Sequence, residues 1–202
     1  MRASDEIETR LTARPATWLK TTLTYQWSDS DFHTTTGATS PDDWGLDAAT
    51  PGGRVFAGRY EAHALSANAT LTPFRRLHFA GTVTYQNSRT TTADNGSPSV
   101  APYRGDLWSL LTSATYVLDD ATDAFASCTF SQTRYGQNNA ADGLPLGLDY
   151  DRHGVQLGLL RRFSKSVTAR LQYGYFAYHE PSSGNLLDFT AHQVLAVVNL
   201  RW

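Results

Sequence analysis

The chain has 202 residues, a formal net charge of −2 and a pI near 6.3, with no basic run, which excludes the electrostatic footprint of a nucleic-acid binder. No window approaches about 18 consecutive apolar residues, so no transmembrane helix is encoded. Membrane-crossing strands would pass that test unseen, because alternation halves their mean hydropathy. The lone Cys128 has no partner for an internal disulfide, and no Cys/His cluster has metal-ligand spacing. Aromatics make up 12%, Thr is frequent and Lys is scarce, a mix that suits strands far better than helices.

The elements follow in chain order. Ile7, Thr9, Leu11 and Ala13 alternate with Glu6, Glu8, Arg10 and Thr12, and Arg14, Pro15 and Ala16 are expected to turn the chain. Leu19, Thr21, Leu23, Tyr25 and Trp27 then oppose Lys20, Thr22, Thr24, Gln26 and Ser28. Residues 29–53 are rich in Asp, Thr, Gly and Pro and are expected to form a long polar loop. Alternation resumes at Leu65, Ala67, Ala69 and Leu71, turns at 72–75, and returns through Leu77, Phe79, Gly81, Val83 and Tyr85. A second polar loop is expected at 89–102. Trp108, Leu110, Thr112, Ala114, Tyr116 and Leu118 precede a short turn at 119–121. Ala124, Ala126, Cys128 and Phe130 lead to a loop at 137–147. Val155, Leu157 and Leu159 precede a turn at 161–164. Val167, Ala169, Leu171, Tyr173 and Tyr175 end at a last loop, 180–185.

The final stretch alternates as well. Trp202, Leu200, Val198, Ala196, Val194 and His192 interleave with Arg201, Asn199, Val197, Leu195, Gln193 and Ala191. Successive side chains of a strand point to opposite faces, so this strand has one oily face and one mostly polar face. It is long enough to cross a membrane tilted, which takes about 9–11 residues. Nine strands result. A weak repeat runs through them: Leu23-Thr24-Tyr25-Gln26, Val83-Thr84-Tyr85-Gln86 and, less closely, Leu171-Gln172-Tyr173.

The connections alternate strictly, with tight turns near 15, 73, 120 and 163 and longer polar loops between them. Short periplasmic turns and long extracellular loops produce this alternation in transmembrane barrels, whereas a Greek-key sandwich has no reason for it. Aromatics cluster by height on the apolar face. Tyr25, Trp27, Tyr85, Trp108, Phe130, Tyr173 and Tyr175 lie near the long-loop end, and Tyr116 and Trp202 near the short-turn end. Two membrane girdles have that form.

The terminal strand, ending on Val198, Leu200 and Trp202, resembles the last strand of bacterial outer-membrane β-barrels, where such a sequence is the assembly signal. The resemblance implies an all-β, antiparallel up-and-down transmembrane barrel in the bacterial outer membrane. Residues 1–202 would be a single barrel domain. Its partners would be outer-membrane lipid, the barrel assembly machinery and a periplasmic or lumenal protein. Single-chain bacterial barrels have even strand numbers. Either the first strand belongs to a larger barrel of which this is the C-terminal portion, or strands two to nine close as eight. The first strand shares the alternation and the tight turn, which favours the larger barrel. Residues 1–20 carry acidic and polar groups where a signal peptide has its apolar core. An exported chain is thus expected to be mature, tagged with a start Met, or to lack its upstream part.

Lys20, His78, Arg152, Arg170 and Arg201 fall on the polar face among Thr, Ser, Gln and Asn, as a hydrated or plugged lumen requires. Packing against Glu6, Glu8 and water is the simpler role for them; a mildly cationic channel wall is the functional one. Six His and many Ser and Asp allow triads to be drawn at will, but none sits in a motif. Asp42 and Asp43 are similar to the acidic residues of outer-membrane proteases, though Asp is common in turns. His153 and His192 lie on the apolar face, where outer-membrane phospholipases keep their site, without a matching Ser. The Asn68-Ala69-Thr70 sequon is mid-strand. No catalytic residue, metal or cofactor is therefore expected. The expected function is a passive porin-like channel or structural barrel. The alternatives are a sheath for a multihaem cytochrome, which the hairpin repeats loosely resemble, and a soluble β-sandwich binding module.

Overall fold

The structure is a computed structural model and describes residues 2–38, 53–92, 102–136 and 147–201. The described residues form one antiparallel sheet of nine strands: β1 (Arg2–Ala16), β2 (Leu19–Thr36), β3 (Gly53–Phe74), β4 (Leu77–Thr92), β5 (Tyr103–Asp119), β6 (Thr122–Gly136), β7 (Gly147–Arg162), β8 (Val167–His179) and β9 (Phe189–Leu200). Strand order in the sheet equals order in the chain. Each strand pairs only with its sequence neighbours, as in an up-and-down barrel wall, and one continuous meander replaces the two stacked sheets of a sandwich. The β-sandwich alternative is therefore set aside.

Two boundaries differ from the sequence expectation. The residues 14–16 are not a turn: β1 continues to Ala16 and the chain reverses at Thr17 and Trp18. Likewise β3 runs through Pro73 to Phe74, and the reversal falls on Arg75 and Arg76. In both hairpins the register slips around the proline, between Ala13 and Ala16 and between Leu71 and Phe74. Proline has no N–H to give the ladder, so it loosens the pairing two residues before the reversal rather than making it. The other two tight turns fall at 120–121 and 163–166.

The second difference is strand length. β2 continues through Asp29 to Thr36 and β3 begins at Gly53, so the first third of the expected loop at 29–53 is a paired ladder with one bulge between Phe32 and His33. The residues 89–92 and 103–107 extend β4 and β5 in the same way. Alternation reports burial of one face. Where a hairpin stands in water on both sides the alternation disappears while the backbone ladder persists. Asp42 and Asp43 lie outside the described residues.

Each tight turn is also tied sideways. The carbonyls of Trp18, Arg76, Ala121 and Ser166 accept the backbone N–H of Thr72, Val117, Arg162 and Arg201 at 2.7–2.9 Å, so each hairpin end is anchored to the next. At the other end, a single 3-10 turn (Pro181–Ser183) joins β8 to β9. It closes through Gly184 and Asn185, both left-handed at φ 66° and 65°, a conformation that costs Gly nothing and Asn little.

Candidate functional site

The two faces of the sheet are the functional surfaces, and the register decides what lies on each. One row runs Leu19, Leu71, Phe79, Ala114, Ala126, Leu157, Tyr173, Val194 across β2 to β9. A parallel row holds Leu11, Leu23, Ala67, Val83, Leu110 and Phe130. Among the described residues no second layer covers this face: Leu157 is 52% exposed, Leu171 55% and Val194 73%. An apolar face of this extent in water would be an aggregation surface; against lipid it is the outside of a barrel.

The height of that face is set by its charges. On β4 the outward set runs uncharged from Leu77 to Tyr85, and on β5 from Trp108 to Leu118, before Arg89 and Asp106 intervene. At about 3.4 Å per residue and a tilt near 40°, this is roughly 20–25 Å, the height of a lipid-facing band. Above it the outward face carries ion pairs, Asp29 with Arg59 and Arg134 with Asp151, and the Glu61–His63 contact at 3.6 Å.

The loop-end aromatics among those assigned to the girdle have partners near that boundary that alternation does not disclose. Tyr25 Oη lies 2.8 Å from His63 Nδ1, Tyr85 Oη donates to Asp106 at 2.5 Å, and Tyr173 Oη lies 2.7 Å from His192 Nδ1. These are the three tyrosines of the sequence repeat. Each reaches diagonally to the next strand, one step toward the loop end, so ring and hydroxyl straddle the apolar and polar zones. Tyr85 also packs on Trp108 at 4.6 Å, and Trp27 Nε1 reaches Glu61 at 3.5 Å. His192 lies between Tyr173 and Tyr175, and His153 packs on Phe130, so both apolar-face histidines are held by rings. Tyr116 lies at the turn end, 45% exposed. Trp202 lies outside the described residues.

The opposite face is crowded and polar. The least exposed side chains, Ser30, Thr133, Ser88, Ala62 and Gln172, all belong to it, as convergence on the inner side of a curved sheet demands. One row runs Arg10, Thr24, Ser66, Thr84, Ser109, Ser131, Arg152, Tyr178 across β1 to β8. Ser66 and Thr84 are 3.2 Å apart; one row lower, Asn68 donates to Thr82 at 2.7 Å, which uses the sequon amide in the wall. Above them Gln86 donates to Tyr60, and Ser88 to Tyr135.

Of the five cations assigned to this face, Lys20, His78, Arg152 and Arg170 fall on it by register, and they do not converge. Lys20 pairs with Thr70 in the ladder, His78 with Thr115, and Arg152 with Ser131. Arg170 lies near the turn end, its guanidinium 4.4 Å from the Phe125 ring and 2.6 Å from Gln172 Oε1. Arg201 follows β9, tied through its backbone N–H to Ser166. Glu6 and Glu8 take Gln26 and Arg10 instead of these cations. Arg10, at the far end of the hydroxyl row from Arg152, was not singled out from sequence; its place in the alternation could have marked it.

Four glycines support this face from beneath. A Cβ on Gly158 would stand 2.3 Å from Phe125 and 2.6 Å from the Leu171 carbonyl oxygen, and one on Gly105 2.2 Å from Tyr135. A Cβ on Gly174 would stand 2.8 Å from the Phe176 ring, and one on Gly154 2.5 Å from Thr129 Oγ1 and 3.2 Å from the same ring. Rings lying flat over glycines fill the wall without narrowing the lumen.

The β8–β9 loop is laced around Asp188. Its carboxylate accepts the Glu180 backbone N–H at 2.8 Å and pairs with His179, and these two bonds hold it below the usual carboxylate range. A carboxylate with a depressed folded pKa stabilises above its unfolded value, about 3.9, and that contribution is lost as pH falls through the folded pKa. The Glu180 amide should therefore keep its hydrogen-exchange protection from pH 7 to about 4 and lose it only in stronger acid. Protection that fades between pH 6 and 5 would contradict this assignment. Asp188→Ala should open the loop at every pH.

No protein-family model matches the chain, and no curated protein matches it in sequence. Solved structures do match in fold. The OmpT of Vibrio cholerae expressed in the outer membrane aligns at a TM-score of 0.54 and 16% identity, over 98% of this chain and 56% of that one. The siderophore receptor PiuA from Acinetobacter baumannii gives 0.53 at 10% identity, covering 98% and 39%. The ferric yersiniabactin uptake receptor FyuA from Yersinia pestis gives 0.52 at 12%, covering 98% and 33%. The chain spans about half or less of the structures it matches. Its fold is that of a bacterial outer-membrane β-barrel, and the outer membrane is the setting that this fold and its apolar face fit.

Proposed function

We propose that the chain forms wall of a passive, porin-like channel in the bacterial outer membrane, with no enzymatic activity and no resident cofactor. The row of hydroxyls across β2 to β6, flanked by Arg10 and Arg152, carries this reading. Hydroxyls and amides offer a passing solute water-like hydrogen bonds without binding it tightly, and scattered arginines favour anions weakly. Outer-membrane lipid is the partner of the apolar face, and the barrel assembly machinery the partner during insertion.

The protein extracted from outer membranes and reconstituted in a planar bilayer should conduct steadily, with a small preference for anions. Arg152→Glu should move the reversal potential toward cation selectivity and leave the folded yield unchanged. Folded protein that never conducts would end the channel reading.

Topology has its own test. With Cys128 replaced by Ser, Asn185→Cys on the β8–β9 loop should react with a membrane-impermeant thiol reagent on intact cells. Asp120→Cys at the opposite end should react only after lysis. Labelling in the reverse order would invert the orientation of the sheet.

A further inference from the structure

The two ends of the sheet differ in charge. Residues 14–20, 75–78, 119–123, 161–170 and 201 make up the tight-turn end. They hold nine of the 17 Lys and Arg but only three of the 19 Asp and Glu, an excess of six positive charges in a chain of net charge −2. That excess is not neutralised within the chain. Among the described residues, Arg162 alone of the nine forms an ion pair, with Asp123. At the loop end the outward charges find each other instead, Asp29 with Arg59 and Arg134 with Asp151. Like charges crowded on one rim repel, so anions from outside the chain stabilise the turn end.

Four of these cations belong to the rim and not to the lumen wall. Arg75 and Arg76 form the second reversal and Lys165 lies in the fourth, all exposed. Arg161 stands on the outward face opposite Thr122 and Ala169, one same-face step beyond Leu159, where the apolar band ends. Its guanidinium lies 5.6 Å from the Phe163 ring. Large rings sit among these cations: Phe74 is 70% exposed, Phe163 63% and Trp18 45%. Hairpin tips that face water are small and polar, and these are not. Rings beside cations at the edge of a lipid-facing band match the headgroup layer, where the rings meet glycerol and acyl chains and the cations reach phosphate. Arginine matches phosphate with a planar fork of donors.

We infer that the turn-end rim binds anionic glycerophospholipids, their phosphates held by Arg75, Arg76, Arg161 and Lys165. A zwitterionic headgroup offsets its phosphate with its own ammonium, whereas an anionic one leaves the charge free to meet the excess on the rim. The site depends on the barrel fold and its lipid-facing band, not on conduction, so a barrel that never conducts leaves it intact.

The test places protein extracted from outer membranes in vesicles of equal parts phosphatidylcholine and phosphatidylglycerol, with bromine on the chains of one lipid or the other. Quenching of tryptophan fluorescence by bromine reports which lipid borders the protein. It should favour phosphatidylglycerol about fivefold, the worth of one well-placed cation at an anionic surface. The preference should vanish in about 1 M salt, where the screening length is about 3 Å, a result that needs no variant. Arg75→Gln, Arg76→Gln, Arg161→Gln and Lys165→Gln combined should abolish it at low salt. Arg89→Gln with Arg104→Gln, at the loop end, should leave it unchanged. Equal quenching by the two lipids, a preference that survives salt, or one that the combined variant keeps would overturn the site. So would its loss on adding inorganic phosphate or polyglutamate, which would assign the rim to free phosphate or to an acidic polypeptide.

Discussion

Arginine at position 157 should cost the folded protein roughly 2–4 kcal/mol, and arginine at 156 far less. Leu157 stands on the outward face between Ala126 and Tyr173, half exposed, in the middle of the band without charges. There a guanidinium has no water, no counter-ion and a long way to either interface. Gln156 is one residue along and on the other face, opposite Ser127 and Gly174, in the hydroxyl-lined wall. An arginine there meets polar neighbours. Unfolding of both variants in lipid vesicles, followed by urea titration, checks the pair. Equal losses at both positions would mean that the facing of β7 is wrong.

The second large effect should come from Gly158, where Gly158→Val should destabilise by about 1–3 kcal/mol even though valine is a good strand former. The new Cβ would collide with the Phe125 ring and with the Leu171 carbonyl oxygen. The ring can swing aside; the carbonyl is held in the β7–β8 ladder and cannot. Phe125→Ala should therefore recover part of the loss in a double-mutant cycle and leave the rest. Full recovery would mean that the ring alone decides the site. No loss at all would mean that the sheet flexes more than its ladder suggests.

Much of this was legible beforehand because alternation is a direct consequence of a sheet with lipid on one side. Leu23, Val83, Leu110 and Leu171 mark the outward face, the nine strands follow from their spacing, and the short connections fall at one end. What was not legible follows from the same cause. Where Asp29, Arg59 and Glu61 extend a hairpin beyond the apolar band, the outward face is polar and the apolar pattern falls silent, though the ladder continues. Pro15 and Pro73 look like turns by composition, but they disturb the ladder before the reversal. The diagonal Tyr–His and Tyr–Asp contacts depend on register between strands some 20–40 residues apart, which a single sequence does not carry. Arg170 could be placed on the inner face from parity alone. Its seat over Phe125 could not, because it needs the curvature of the sheet.

The unbroken order β1 to β9, in which every strand holds only its chain neighbours, gives the molecule a definite mechanical character. Within the described sheet force meets one ladder at a time, since none of its strands is clamped by a strand distant in the described sequence. Pulled from its last strand, the sheet should peel hairpin by hairpin, the β8–β9 pair releasing about 120 Å of chain in a single step. A wall assembled in that way fails like a seam, stitch after stitch, while the staves not yet reached still stand.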